Sequence, residues 1–135
     1  MMRYVWTYGA TLIAFLAIDL VWLGFIAKNF YRDQLGTLML DRPSLAIGLG
    51  FYLLFAFGIV VFAVTPGLRE GSWRTTLVLG ALLGLIAYGT YDLTNLATLR
   101  NWPVTMSLVD MAWGSVLTAS SALVGYFVGS YFLHA

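Results

Sequence analysis

Four long apolar runs constrain the fold of this sequence more than any other feature. Each run is long enough, at about 1.5 Å per residue, to cross the roughly 30 Å hydrocarbon layer of a bilayer as an α-helix. The runs cover about residues 4–27, 44–65, 75–99 and 105–132. Little of the chain remains outside them. We therefore predict a single domain over residues 1–135, an all-α integral membrane protein built as a bundle of four transmembrane helices.

The segment between the first two runs, residues 28–42, is mixed in character. Phe30, Tyr31 and Leu35 are interspersed with the charged residues Arg32 and Asp33. This spacing is typical of a short amphipathic helix that lies at the membrane interface. We predict such a helix between spans one and two.

Composition excludes several classes of function. The chain is 61% hydrophobic with a net charge of +1 and no basic tract, so we exclude a nucleic acid as a partner. It has no cysteine, which excludes thiol catalysis and cysteine-based metal sites. No recognised spacing of ligands predicts a metal site, and no motif predicts a cofactor. The partners that we expect are membrane lipids.

The basic residues leave the orientation in the membrane open. The ends of the runs on the amino-terminal side carry Arg3, Arg69 and Arg74, and the opposite ends carry Lys28, Arg32, Arg42 and Arg100. The positive-inside rule compares these two sides, and here they are nearly balanced. A dual-topology protein would show the same balance.

Two pairs of glycines have a spacing that allows helices to approach closely. Gly80 and Gly84 lie four residues apart in span three, as do Gly125 and Gly129 in span four. We interpret both pairs as packing contacts within the bundle. A homodimer interface is the alternative.

Three aspartates lie inside the apolar runs, where an ionised carboxylate facing lipid costs several kcal/mol. Counting from the ends of the spans puts Asp19, Asp92 and Asp110 all about 7–12 Å below the same membrane surface. We therefore predict that the three acids face inward and form one site. The alternative is that they are protonated carboxyls that only bond helices together.

The turn between spans three and four sharpens this prediction. Asp92 and Asp110 each lie nine residues from Asn101, so antiparallel neighbours would hold them at the same height. Two carboxyl groups in contact in a medium of low dielectric constant cannot both ionise easily, so we expect them to share a proton. Asp92 and Asp110, assisted by Asp19, are the predicted catalytic residues.

Helical periodicity places aromatic and polar side chains on the same faces as the acids. Tyr88, Asp92 and Asn95 share one face of span three, with Tyr91 at its edge. Such faces predict a concave site with aromatic walls that suits a hydrophobic small molecule. The predicted ligand-binding residues are Tyr88, Tyr91 and Asn95 of span three, Trp22 of span one, and Ser107 and Trp113 of span four.

Several motifs together resemble a known family. They are YGTYDLTNLATLRNWP at residues 88–103, VDMAWG at 109–114, IDLVWLG at 18–24 and FYR at 30–32. They resemble a family of small bacterial predicted membrane proteins of unknown function, and the resemblance covers essentially the whole chain. It implies a multi-pass, four-span protein of the bacterial cytoplasmic (inner) membrane and no particular reaction.

A weaker similarity connects the chain with the small multidrug-resistance exporters, which depend on a glutamate in span one. Here the first-span acid is Asp19, and the further acids Asp92 and Asp110 depart from that pattern.

We interpret the acids as a site that binds a lipid or another hydrophobic small molecule, or modifies it by acid–base chemistry. Two alternatives remain open: a proton-coupled transporter of small molecules, and an accessory subunit of a membrane complex.

Overall fold

The computed structural model describes residues 2–134, with side chains up to residue 132. The described residues form five helices: α1 (Met2–Ile26), α2 (Phe30–Leu35), α3 (Leu45–Glu70), α4 (Trp73–Thr98) and α5 (Val104–His134). All except α2 are long and apolar enough to cross a membrane, which confirms the predicted four-span, all-α fold.

The segment between spans one and two forms a short helix. α2 covers only part of the predicted segment 28–42 and is followed by a single tight turn, Gly36–Leu38. Gly36 ends the helix with φ +56° and ψ −123°, a backbone conformation that residues with a Cβ rarely adopt. The chain then runs as irregular structure to Ser44, whose hydroxyl accepts a hydrogen bond from the backbone N–H of Ile47 and so begins α3.

Span two, predicted over about residues 44–65, continues as helix α3 to Glu70, beyond Pro66. A proline ring inside a regular α-helix clashes with the carbonyl group four residues earlier. Here the turn just before Pro66, Val60–Val64, is a wider π-helix, and such turns commonly absorb a local irregularity in a helix. The helix ends instead at Gly71, which has φ +65°.

Glycines set how closely the long helices approach. A Cβ on Gly84 would clash with the backbone carbonyl of Gly114, so α4 and α5 meet backbone to backbone. On the other side of α5, Gly125 and Gly129 lie against the hydroxyls of Thr11 and Thr7 of α1. Both predicted glycine pairs thus make packing contacts inside the bundle. These contacts do not require a homodimer, which stays a prediction.

The bundle is closed at one end and divided at the other. Residues 60–70 of α3 pack against both α4 and α5, whereas residues 45–59 pack mainly on α1. The closed half is filled by the buried side chains Phe15, Phe55, Ile59, Ala63, Val64, Leu117, Ala122 and Tyr126. At the other end, beside α2, α3 diverges from α4 and leaves space within the bundle.

We predict that Gly84→Ala destabilises the protein by about 1–3 kcal/mol, because the added methyl group must push α4 and α5 apart. The matched control is Gly58→Ala in α3, where an added Cβ meets nothing within 4 Å. Thermal unfolding in a mild detergent measures both variants. Equal unfolding temperatures for the two would contradict the close α4–α5 contact.

Candidate functional site

A cavity of about 460 Å³ lies in the divided half of the bundle. This volume falls in the range of about 300–1,000 Å³ that is usual for small-molecule sites. All four spans and α2 contribute to its wall. The lining residues are Asp19, Leu23, Tyr31, Leu35, Gly48, Phe51, Tyr52, Ala87, Tyr88, Tyr91, Met106, Asp110 and Trp113.

Asp19 enters the cavity wall from α1. The buried face of that helix carries Thr7, Thr11, Phe15 and Asp19, spaced four residues apart, so the acid continues an inward stripe. Its Oδ2 accepts a hydrogen bond of 2.5 Å from the Tyr52 hydroxyl of α3, and its Oδ1 accepts one of 3.2 Å from Nε1 of Trp113. Both carboxylate oxygens therefore have a donor supplied by another helix.

Asp110 enters the wall from α5 and is held by the segment outside the spans. Its Oδ1 accepts a hydrogen bond of 2.8 Å from the Tyr31 hydroxyl of α2. That hydroxyl in turn accepts a 2.9 Å hydrogen bond from Nε1 of Trp22 in α1. Among the described residues, Tyr31 is the neutral donor to Asp110, and the carboxyl group of Asp92 lies beside it, close enough for the two acids to share a proton.

A stack of two indole rings joins the two acids into one arrangement. The rings of Trp22 and Trp113 lie nearly parallel, with centroids 4.4 Å apart and an interplanar angle of 11°. Trp113 donates a hydrogen bond directly to Asp19, and Trp22 donates to the Tyr31 hydroxyl that holds Asp110. We call the resulting set of side chains the aspartate network; it comprises Asp19, Tyr52, Trp113, Trp22, Tyr31 and Asp110.

Asp92 is placed differently from the prediction. The antiparallel register of α4 and α5 does bring it near Asp110, as expected. However, it does not line the cavity. Among the described residues no phenol, indole or backbone donor contacts its oxygens, and its hydrogen bond is one to Asp110 when one of the two carboxyl groups carries a proton. Asp92 is fully buried where α4 packs closely on α5. Asp19 and Asp110, rather than Asp92 and Asp110, face the cavity together.

The other predicted ligand-binding residues divide in the same way. Tyr88, Tyr91 and Trp113 line the cavity. Trp22 lies behind the wall, where it orients Trp113 and Tyr31. Asn95 lies outside the cavity, as does Ser107, which is buried and donates back to the carbonyl oxygen of Pro103, the residue just before α5.

The two tyrosines that hold the acids, Tyr31 and Tyr52, are not among the site residues predicted from the sequence. Tyr52 carries a signal that counting could have found: it lies seven residues into α3, at about the depth of the acids, where a hydroxyl in lipid needs a partner. Tyr31 carries no such signal. It reaches Asp110 across 79 positions of sequence, and only the fold brings them together.

The hydroxyl group of Tyr31 keeps its proton and so remains a hydrogen-bond donor. Burial raises its pKa well above the ordinary value of 10.0, and the nearby negative charge of Asp110 raises it further. Both effects disfavour the phenolate, so Tyr31 keeps its proton at physiological pH and continues to donate to Asp110.

Among the side chains of residues 2–132, no group of three or more His, Cys, Asp or Glu converges as a metal site would require. The two acids in the wall can accept hydrogen bonds or exchange a proton.

Comparison with known proteins gives one match. Residues 4–127 match the family model described as a predicted membrane protein (DUF2177). No curated protein and no solved structure matches the chain.

We predict that Asp19→Ala destabilises the protein by about 1–3 kcal/mol more than Asp92→Ala does. The two substitutions remove the same atoms from buried positions, but only the first leaves donors, on Tyr52 and Trp113, without an acceptor. Thermal unfolding of both variants in the same detergent measures the difference. Equal losses would mean that Asp92 also accepts hydrogen bonds from phenol, indole or backbone donors in the folded protein.

We also predict that the stabilisation supplied by Tyr31 depends on pH. Because the folded state binds the phenolic proton more tightly than the unfolded state does, its contribution is complete below about pH 10 and declines at higher pH. The stability difference between the wild type and Tyr31→Phe should therefore be constant from pH 7 to 9 and shrink above pH 10. A difference that stays constant up to pH 11 would contradict the raised pKa.

Proposed function

The chain belongs to the family of predicted membrane proteins DUF2177, and we propose that it binds a lipid or other hydrophobic small molecule inside the membrane. The proposed site is the cavity at the divided end of the bundle, with Asp19 and Asp110 as the groups that recognise the polar part of the ligand. The bacterial cytoplasmic membrane, expected from the sequence resemblance, stays a prediction.

One observation carries this proposal: two carboxylates share the wall of a cavity that is otherwise apolar and aromatic. Carboxylates inside the hydrocarbon layer are costly and usually mark functional positions. A few directed polar groups in a largely apolar pocket are the common design of sites for small organic ligands. The aspartate network fixes both acids, so a ligand would meet them in a preorganised arrangement.

The shape of the bundle gives a hydrophobic ligand a route from the lipid. The cavity wall includes Gly48 and Phe51 of α3 and Tyr91 of α4, on the two helices that diverge. Phe51 is 46% exposed and Tyr91 is 55% exposed, so these side chains form a rim that faces the membrane. An apolar chain could lie between α3 and α4 while the polar group reaches the acids.

Asp110 is the better placed of the two acids for proton exchange with a ligand. Both oxygens of Asp19 accept hydrogen bonds from neutral donors, whereas among the described residues only Oδ1 of Asp110 does so, and the carboxyl group of Asp92 lies beside Asp110 to exchange a proton with it. A positioned carboxylate of this kind can act as a general base or, when protonated, as a general acid. The proposed chemistry, if a ligand is turned over, is therefore acid–base chemistry at Asp110.

The filled interior of the closed half favours ligand binding over transport of a molecule through the bundle. Beneath the cavity the buried side chains of Phe15, Ile59 and Leu117 fill the space between the helices. A transporter would have to open this core, because the cavity lies at one end of the bundle. Proton-coupled transport is thus the alternative that requires a second conformation.

We predict that a defined small molecule copurifies with the wild-type protein after gentle solubilisation and that Asp19→Asn and Asp110→Asn lose it. Each substitution removes a charge from the cavity wall while nearly preserving the shape of the side chain. Mass spectrometry of the extracted small molecules measures this. Asp41→Asn is the matched control, because Asp41 is exposed and lies outside the cavity.

The same experiment separates the alternatives. A molecule that is lost only from the two cavity variants supports the proposal, and a chemically altered form of it would indicate turnover. An identical lipid background in all four proteins would overturn it. A protein partner that copurifies equally with all variants would instead support the accessory role.

A further inference from the structure

We infer that the ligand of this cavity carries a cationic group, an amine or quaternary ammonium, on a hydrophobic body. This inference rests on the proposed function and adds the chemical class of the ligand to it. Two features of the cavity support it independently: the charges around the wall and the aromatic rings in it.

Within the part of the chain that the structure describes, the carboxyl groups in and directly behind the cavity wall have no basic side chain among them. Asp19 and Asp110 lie in the wall, and Asp92 lies behind it beside Asp110. The basic residues at this end of the bundle, Lys28, Arg32, Arg42 and Arg100, are exposed, and none lines the cavity. Asp33 and Asp41 on the same segment are exposed acids. No basic side chain of the described residues therefore compensates the two carboxylates.

The hydrogen bonds of the aspartate network orient the carboxylates but carry no compensating charge. Their donors are phenol and indole groups, which are neutral. In a medium of low dielectric constant, buried carboxylates are retained at least cost when they pair with a positive charge. A neutral alcohol could supply a hydrogen bond to Asp110, whereas a cation supplies the missing charge as well.

The aromatic rings of the wall suit the same group. Six aromatic side chains line the cavity: Tyr31, Phe51, Tyr52, Tyr88, Tyr91 and Trp113. The faces of such rings attract ammonium groups, and clusters of rings are a recurring way to recognise quaternary ammonium ligands. Several of these rings are held in fixed orientations, since Trp113 stacks on Trp22 and Phe51 stacks on Phe55. The aromatic rings and the carboxylates of the cavity therefore both favour a cationic ligand.

Three matched probes test the inference on the full chain in an uncharged maltoside detergent. The first is an alkyl trimethylammonium ion, the second its uncharged tert-butyl isostere with the same chain, and the third an alkyl sulfate of that length. Equilibrium dialysis at a fixed detergent concentration, with protein-free micelles subtracted, gives the affinity of the protein for each. We expect the wild type to bind the ammonium probe at least tenfold more tightly than its isostere and the sulfate most weakly.

Substitutions test whether the preference for the ammonium probe arises from the acids of the cavity. Asp19→Asn and Asp110→Asn should each reduce the preference for the ammonium probe by at least threefold, while the exposed control Asp41→Asn should retain it. If one cavity variant fails to fold, the other carries this comparison, and the comparison of probes on the wild type needs no variant. A preference that survives both cavity substitutions would overturn the inference.

The outcomes also distinguish this inference from the proposed function. If the ammonium probe and its isostere bind equally and both are lost in the cavity variants, the cavity binds hydrophobic ligands but not through their charge. If neither probe binds while a copurifying molecule is lost in the cavity variants, the proposed function holds and the cationic class is wrong. If neither probe binds and nothing specific copurifies, both proposals fail.

Discussion

The need to satisfy carboxylates inside the hydrocarbon layer organises one half of this molecule. Asp19 and Asp110 each require donors that their own helices cannot supply, and the donors come from α2, α3 and the neighbouring spans. Meeting that need ties the segment outside the spans to the bundle through Tyr31. It also orients the Trp22–Trp113 stack. The cavity is thus built from the side chains that hold its acids.

The other half depends on a different interaction, close contact between helix backbones. Gly84 meets Gly114 between α4 and α5, and Gly125 accommodates Thr11 of α1. In a membrane, where apolar surface gains little by leaving lipid, such dispersion contacts between small residues supply much of the association between helices. The close contacts of α5 with α4 and α1 hold the bundle together, while α3 and α4 diverge in the other half.

Asp92 belongs both to the close α4–α5 contact and to the surroundings of the cavity. It lies on the closely packed α4–α5 interface, yet among the described residues no phenol, indole or backbone donor contacts its oxygens. Buried polar groups in this state reduce stability, and proteins commonly retain them where function requires them. Its position beside Asp110 puts a third carboxyl group directly behind the cavity wall.

The sequence by itself determined the four spans, because length and apolar character decide whether a helix crosses a membrane regardless of its neighbours. It also predicted one level for Asp19, Asp92 and Asp110, since a helix rises by a constant distance per residue, and the structure places Asp19 and Asp110 in one cavity wall with Asp92 beside Asp110.

Tertiary structure alone decided which acids share the cavity. That choice depends on the rotation of each helix about its axis and on where α3 and α4 diverge, and local periodicity fixes neither. For the same reason Tyr31 and Tyr52, separated from their acids by 79 and 33 positions, became part of the site only through the fold.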